Sequence, residues 1–210
     1  MKRLAILCAL GLAVSACVTP ATDGSEAGST SDDTENRASP SRAMAGVAID
    51  ARVPTDVRRA TFIVRDMDRS LAFWQGALGL ETNYDVEVTL SGVNLPLGEP
   101  GTRARLVLLN GNDPYIGWIG LMQPLDPALP DVADPYPTRL SSGSVVMVVN
   151  VDDAEARCAL AAQVPGTLVT GPARLQVYPG RGEGAPDIRV MGCNVFDPDG
   201  TAVEINQLLD

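Results

Sequence analysis

Hydrophobic and polar positions divide the chain into three stretches. Leu4 to Val14 is an unbroken apolar run behind Met1-Lys2-Arg3. Val18 to about Val53 is rich in Ser, Thr, Asp, Glu, Gly and Ala and has no sustained period. From about Asp56 the pattern becomes that of a folded domain. Arg59 to Val64 alternates as a short strand. Asp66 is placed to cap a helix over Met67 to Leu78, with Leu71, Phe73, Trp74 and Leu78 at near-helical spacing and Gly79 as its stop. Three extended segments follow, Glu81 to Leu90, Arg103 to Leu109 and Ile116 to Gln123. The last two are separated by the turn-rich Asn110-Gly111-Asn112-Asp113-Pro114.

After a Pro-rich connector from Pro124 to about Leu140, the order recurs. Ser144 to Val151 is a strand, and Asp152 or Asp153 caps a helix to about Gln163. Leu168 to Val177, Arg189 to Phe196 and Ala202 to Leu208 are strands, the last two joined by the tight turn Asp197-Pro198-Asp199-Gly200. Strand, helix and three strands therefore occur twice. Val64-x-Asp66 aligns on Val151-x-Asp153 at an offset of 153 − 66 = 87 residues. Such a duplication points to one α+β domain of two modules.

Composition narrows the function. Aromatic residues make up 4% of the chain, so the core rests on aliphatic side chains. The net charge of −10 repels phosphate backbones and argues against a nucleic-acid partner. The chain has no histidine, the commonest metal ligand and the usual general base near neutral pH. Asp50, Asp56, Asp85, Glu87, Asp131 and Asp134 read as solvated surface. Gly180-Arg181-Gly182-Glu183-Gly184 lies between two strands and opens no helix, so it is not a phosphate loop.

The N-terminus reads as an export signal, too short for a mature membrane span. Val14-Ser15-Ala16-Cys17 resembles a bacterial lipobox, in which the Cys is lipidated and becomes the first mature residue. The alternative is an ordinary signal peptide that contains a Cys. Residues 1–16 are then a lipoprotein signal and residues 17–55 a disordered tether of about 35 residues with a reach of roughly 30 Å. Removal of Lys2 and Arg3 leaves 14 − 26 = −12 charges and no lysine. Val18 rather than Asp follows Cys17, which favours the periplasmic side of the outer membrane. Cys158 and Cys193 remain in an exported chain, either as a disulfide or as two separate buried thiols.

The run Ile63-Val64-Arg65-Asp66-Met67-Asp68-Arg69-Ser70-Leu71-Ala72-Phe73-Trp74, followed by Leu78-Gly79-Leu80, resembles the opening module of the vicinal oxygen chelate superfamily. That group includes glyoxalase I, bleomycin and fosfomycin resistance proteins and extradiol dioxygenases. Phe196-Asp197-Pro198-Asp199-Gly200-Thr201-Ala202-Val203-Glu204 is similar to its closing hairpin. The resemblance covers about residues 57 to 208. It implies two βαβββ modules forming a curved mixed-sheet cup within residues 56–210: module 1 over 57–123, connector 124–141 and module 2 over 142–208. It also implies metal ligands at four positions, which here fall on Arg59, Gly120, Val146 and Glu204. One carboxylate does not hold a catalytic divalent ion, so the expectation is a site without metal or other cofactor. Asp85 or Glu87 could replace the lost ligands, but their spacing does not favour it.

Strand alternation then assigns the cup. Arg59, Thr61 and Ile63 face inward, as do Trp118, Gly120 and Met122. Val146, Val148 and Asn150, with Ala202, Glu204 and Asn206, complete it. Thr61, Ile63, Trp118, Met122, Val146, Val148, Asn150 and Asn206 are the candidate ligand-binding residues, each apolar one having core filling as its alternative. Arg59 and Glu204 are expected to pair where the family shares a metal. Three functions fit. The first is an envelope-tethered module binding a small apolar or amphipathic molecule. The second is a metal-independent lyase or isomerase with Glu204 as base and Arg59 stabilising an enolate or alkoxide. The third is a structural lipoprotein. Relatives that pair further leave a homodimer open.

Overall fold

The computed structural model describes residues 55–93, 95–126, 128 and 139–209. The export signal, Cys17, the tether and most of the Pro-rich connector lie outside the described residues. Within them the two-module order is present. Module 1 runs β1 (Arg59–Ile63), α1 (Met67–Leu71), a π-helical continuation (Ala72–Ala77), β2 (Glu81–Thr89), β3 (Arg103–Asn110) and β4 (Trp118–Asp126). Module 2 runs β5 (Val146–Asn150), α2 (Ala154–Ala161), β6 (Leu168–Tyr178), β7 (Ile188–Phe196) and β8 (Ala202–Leu209). Each module makes its own four-stranded sheet, ordered β1-β4-β3-β2 and β5-β8-β7-β6. In both, the first strand pairs parallel to the fourth and the rest is antiparallel.

The helix starts follow from their caps. The Asp66 carboxylate accepts from Arg69 N at 3.1 Å, and Asp153 accepts from Ala156 N at 3.0 Å. A glutamine on each fourth strand ties down the backbone around the cap. Gln123 donates to Arg65 O at 2.9 Å and accepts from Met67 N at 3.1 Å. Gln207 donates to Asp152 O at 2.6 Å and accepts from Ala154 N at 3.2 Å. The same two orphan backbone groups are thus satisfied in both modules.

The first helix departs from a regular α-helix. After Leu71 it widens, and Leu78 N donates to Phe73 O at 3.1 Å, an i to i−5 bond. The wider turn sends Phe73, Trp74 and Ala77 together into the core. Gly79 ends the first helix at φ +81°, and Gly166, again 87 residues on, lies in the turn beyond α2 at φ +90°, a region costly for any side chain with a Cβ. Each is approached by an arginine of the other module's helix. The Arg157 guanidinium lies over Gly79 and donates to Ala77 O at 3.4 Å, and Arg69 approaches Gly166.

One apolar cluster joins the modules. Phe73, Trp74, Leu109 and Leu121 belong to it from the first, and Ala154, Cys158, Val195 and Ile205 from the second. Phe62 stacks on Trp74 with centroids 5.4 Å apart. Cys158 and Cys193 form a disulfide with a Cα–Cα distance of 6.3 Å, fastening α2 to β7 inside this cluster. Of the two states left open for these cysteines, the structure holds the oxidised one.

Candidate functional site

Both first strands alternate in exposure. On β1, Ala60 and Phe62 turn toward the helix while Arg59, Thr61 and Ile63 are exposed. On β5, Met147 and Val149 turn in while Val146, Val148 and Asn150 are exposed. On the fourth strands the core cluster takes Ile119 and Leu121, and Val203 and Ile205. Trp118, Gly120 and Met122, and Ala202, Glu204 and Asn206, therefore lie on the helix-free faces.

A cavity of about 300 Å³ opens on the helix-free face of module 2. Val146 of β5, Thr170 of β6, Asn194 and Phe196 of β7, and Ala202 and Glu204 of β8 line it, with Leu140 of the connector at its rim. Strand register explains the grouping: Glu204 lies opposite Asn194 on one side and Val148 on the other, and Ala202 lies opposite Phe196 and Val146. A second cavity of about 280 Å³ shares Leu140, Phe196 and Ala202 and extends to Phe62 and Thr201.

Three residues singled out from the sequence, Val146, Ala202 and Glu204, meet at the first cavity. Thr61, Ile63, Trp118 and Met122 sit together on the first sheet, outside the lining of either cavity. Trp118 is held there by its Nε1, which donates to Asp113 O at 3.1 Å. Val148, Asn150 and Asn206 share the helix-free face of the second sheet with Glu204 but are not among the lining residues. Asn206 lies against Gly192, where a Cβ would come 2.3 Å from its Oδ1.

The expected Arg59–Glu204 pair does not form. Among the described residues no ion pair joins them: Arg59 is exposed at the start of β1, and Glu204 is half-buried at the cavity on the other sheet. Parity put both on helix-free faces, but the two faces belong to separately hydrogen-bonded sheets. Asp85 and Glu87 are also committed elsewhere. Arg105 donates to both oxygens of Asp85, at 3.0 and 2.8 Å, and holds its carboxyl below the usual range. Arg103 pairs with Glu87.

The four inherited ligand positions do not suit a metal. Arg59 repels a cation, Gly120 and Val146 offer no donor, and Glu204 alone supplies oxygen. At Gly120 the room for a side chain is taken. A Cβ there would lie 2.6 Å from Thr61 Oγ1 and 3.2 Å from Thr61 Cβ. Among the described residues no three His, Cys, Asp or Glu side chains cluster.

Asn194, Phe196 and Thr170 were missed from the sequence. The first two were within reach, since alternation back from the Asp197 turn puts them on the face of Ala202 and Glu204. Thr170 was not, because β6 shifts register between Val169 and Gly171 and again before Arg174, and such bulges break the period of two.

Comparison with known proteins agrees with this architecture. No curated protein matches the chain. The solved structure of a glyoxalase family protein from Bacillus cereus superposes with a TM-score of 0.55 at 15% identity, over 78% of this chain and 100% of its own. A glyoxalase I mutant from Zea mays is similar at a TM-score of 0.44 and 14% identity, over 71% of this chain and 46% of its own. The family model of the glyoxalase/bleomycin resistance protein/dioxygenase superfamily matches residues 57–205, and the chain belongs to that superfamily.

Proposed function

We propose that the domain binds a small apolar or amphipathic molecule on the helix-free face of module 2 without a metal, held at the cell envelope by a lipidated Cys17. The observation that carries the binding reading is the 300 Å³ cavity, walled mainly by aliphatic and aromatic side chains with a few polar groups, the usual make-up of a ligand pocket. The donor-poor set Arg59, Gly120, Val146 and Glu204 supports metal independence. The Cys158–Cys193 disulfide supports export, because such bonds persist in oxidising compartments. Exposed Leu175, Val177 and Tyr178 on the edge strand β6 support a homodimer, which sedimentation would detect.

The lyase or isomerase reading needs Arg59 beside Glu204 and loses its support with that pair. Thermal shift against a small-molecule panel, with and without chelator, tests the main reading. Ligands should raise the melting temperature equally in both conditions and emerge chemically unchanged. Val146→Phe, which narrows the cavity from a half-exposed position, should abolish the shift. Mass spectrometry of the envelope form tests the anchor: a diacylated N-terminal Cys17 supports it, and an unmodified Cys17 refutes it.

A further inference from the structure

We infer that the ligand of the module 2 cavity carries a positive charge, as a protonated amine attached to a compact apolar body. This rests on the binding reading above and adds its chemical class.

Glu204 is the one titratable residue lining the cavity. It is half-buried, and among the described residues no hydrogen bond or ion pair reaches its carboxylate. The other carboxylates of comparable or greater burial are engaged. Asp199 accepts from Arg65 and Ser70, and Asp197 accepts from Trp74, Asp199 N and Thr201 N. The Glu204 carboxylate shares the cavity wall with Val146, Ala202 and Phe196, and among the described residues the protein brings no counter-charge to it, which leaves it free to meet a cation in the cavity. An ammonium group supplies that charge together with up to three N–H donors.

Asn194, opposite Glu204 on β7, adds an amide carbonyl to the same wall. The remainder of the lining suits the apolar body. A volume of about 300 Å³ holds roughly ten non-hydrogen atoms, at about 30 Å³ each. The chain's net charge of −10 raises the local concentration of cations and lowers that of anions.

Calorimetric titration with octylamine, octanol and octanoate below their aggregation thresholds tests this, since the three share one chain and differ in head group. The full chain should bind octylamine at least tenfold more tightly than either other probe. Glu204→Gln should reduce that preference to threefold or less while keeping octanol binding, which shows the fold and cavity intact. Val146→Phe should weaken all three. Equal binding of the three, or tightest binding of octanoate, with Val146→Phe still weakening them, overturns the amine assignment and leaves the binding reading standing. Preference for octylamine that survives Glu204→Gln also overturns it. No binding by the wild type, or binding that Val146→Phe leaves unchanged, overturns both.

Discussion

Trp74 Nε1 donates to Asp197 Oδ2 at 3.2 Å, tying the core indole of module 1 to the last turn of module 2 across 123 residues of chain. Around it the turn is gripped further. Asp197 Oδ1 accepts from Asp199 N at 3.0 Å and Thr201 N at 2.7 Å. Asp199 accepts from Ser70 Oγ at 2.7 Å, and Arg65 donates to Pro198 O at 2.9 Å. The turn thus serves as a clamp between modules as well as a hairpin connection. Trp74→Phe keeps an aromatic ring but removes the donor and part of the buried indole volume. It should lower stability by about 1–3 kcal/mol, the usual cost of leaving a buried acceptor short of a partner, read as a fall in denaturant midpoint at constant slope.

Asp197 should also make stability depend on pH. Burial pushes its pKa up from 3.8 to about 6, with the neighbouring Asp199 adding to the effect and its hydrogen bonds opposing it. A folded-state value above the unfolded one means the native state binds the extra proton. The contribution is then fully present below about pH 4 and is lost as pH rises through 6, a change of up to roughly 3 kcal/mol. Asp197→Asn cannot titrate. The stability difference between wild type and this variant, followed by urea melts from pH 4 to 7, should shift toward the variant by that order. A difference constant across the window contradicts the assignment.

The disulfide should be a staple. Closing a loop of 35 residues between Cys158 and Cys193 constrains the unfolded chain, with an expected gain of about 2–4 kcal/mol. Cys158→Ala with Cys193→Ala should lower the melting temperature in the absence of reductant and remove its sensitivity to reductant. A variant as stable as the oxidised wild type would show that the bond adds nothing.

Much of this was readable in the residues. Asp66 marked the first helix start and the Asp152-Asp153 pair the second, of which Asp153 is the cap; Gly79 marked the end of the first helix, and the 87-residue repeat the two modules. The π-helical widening was not, since Phe73 and Trp74 fit an α-helical stripe equally well and only the core of the assembled modules selects the wider turn. Asp197-Pro198-Asp199-Gly200 declared itself a turn, but its grip on Trp74, Ser70 and Arg65 depends on how one module lies on the other. The same limit explains Arg59 and Glu204. Alternation gives the face of a strand and says nothing of the distance between two sheets.

Gly120 offers a test of the crowding on the helix-free face of the first sheet. Thr61 fills the space that a side chain at 120 would need. Gly120→Ala should cost about 1–3 kcal/mol through overpacking, and Thr61→Gly should recover most of it in the double variant. Additive costs would mean that the two positions do not compete for the same space.

We propose above that the module 2 face binds its ligand without a transition metal. Elemental analysis of full-length protein, purified from the envelope without chelator, tests it most directly. The account predicts transition-metal content far below one ion per chain and no change on Glu204→Ala. One tightly held ion per chain, lost on Glu204→Ala, would contradict it.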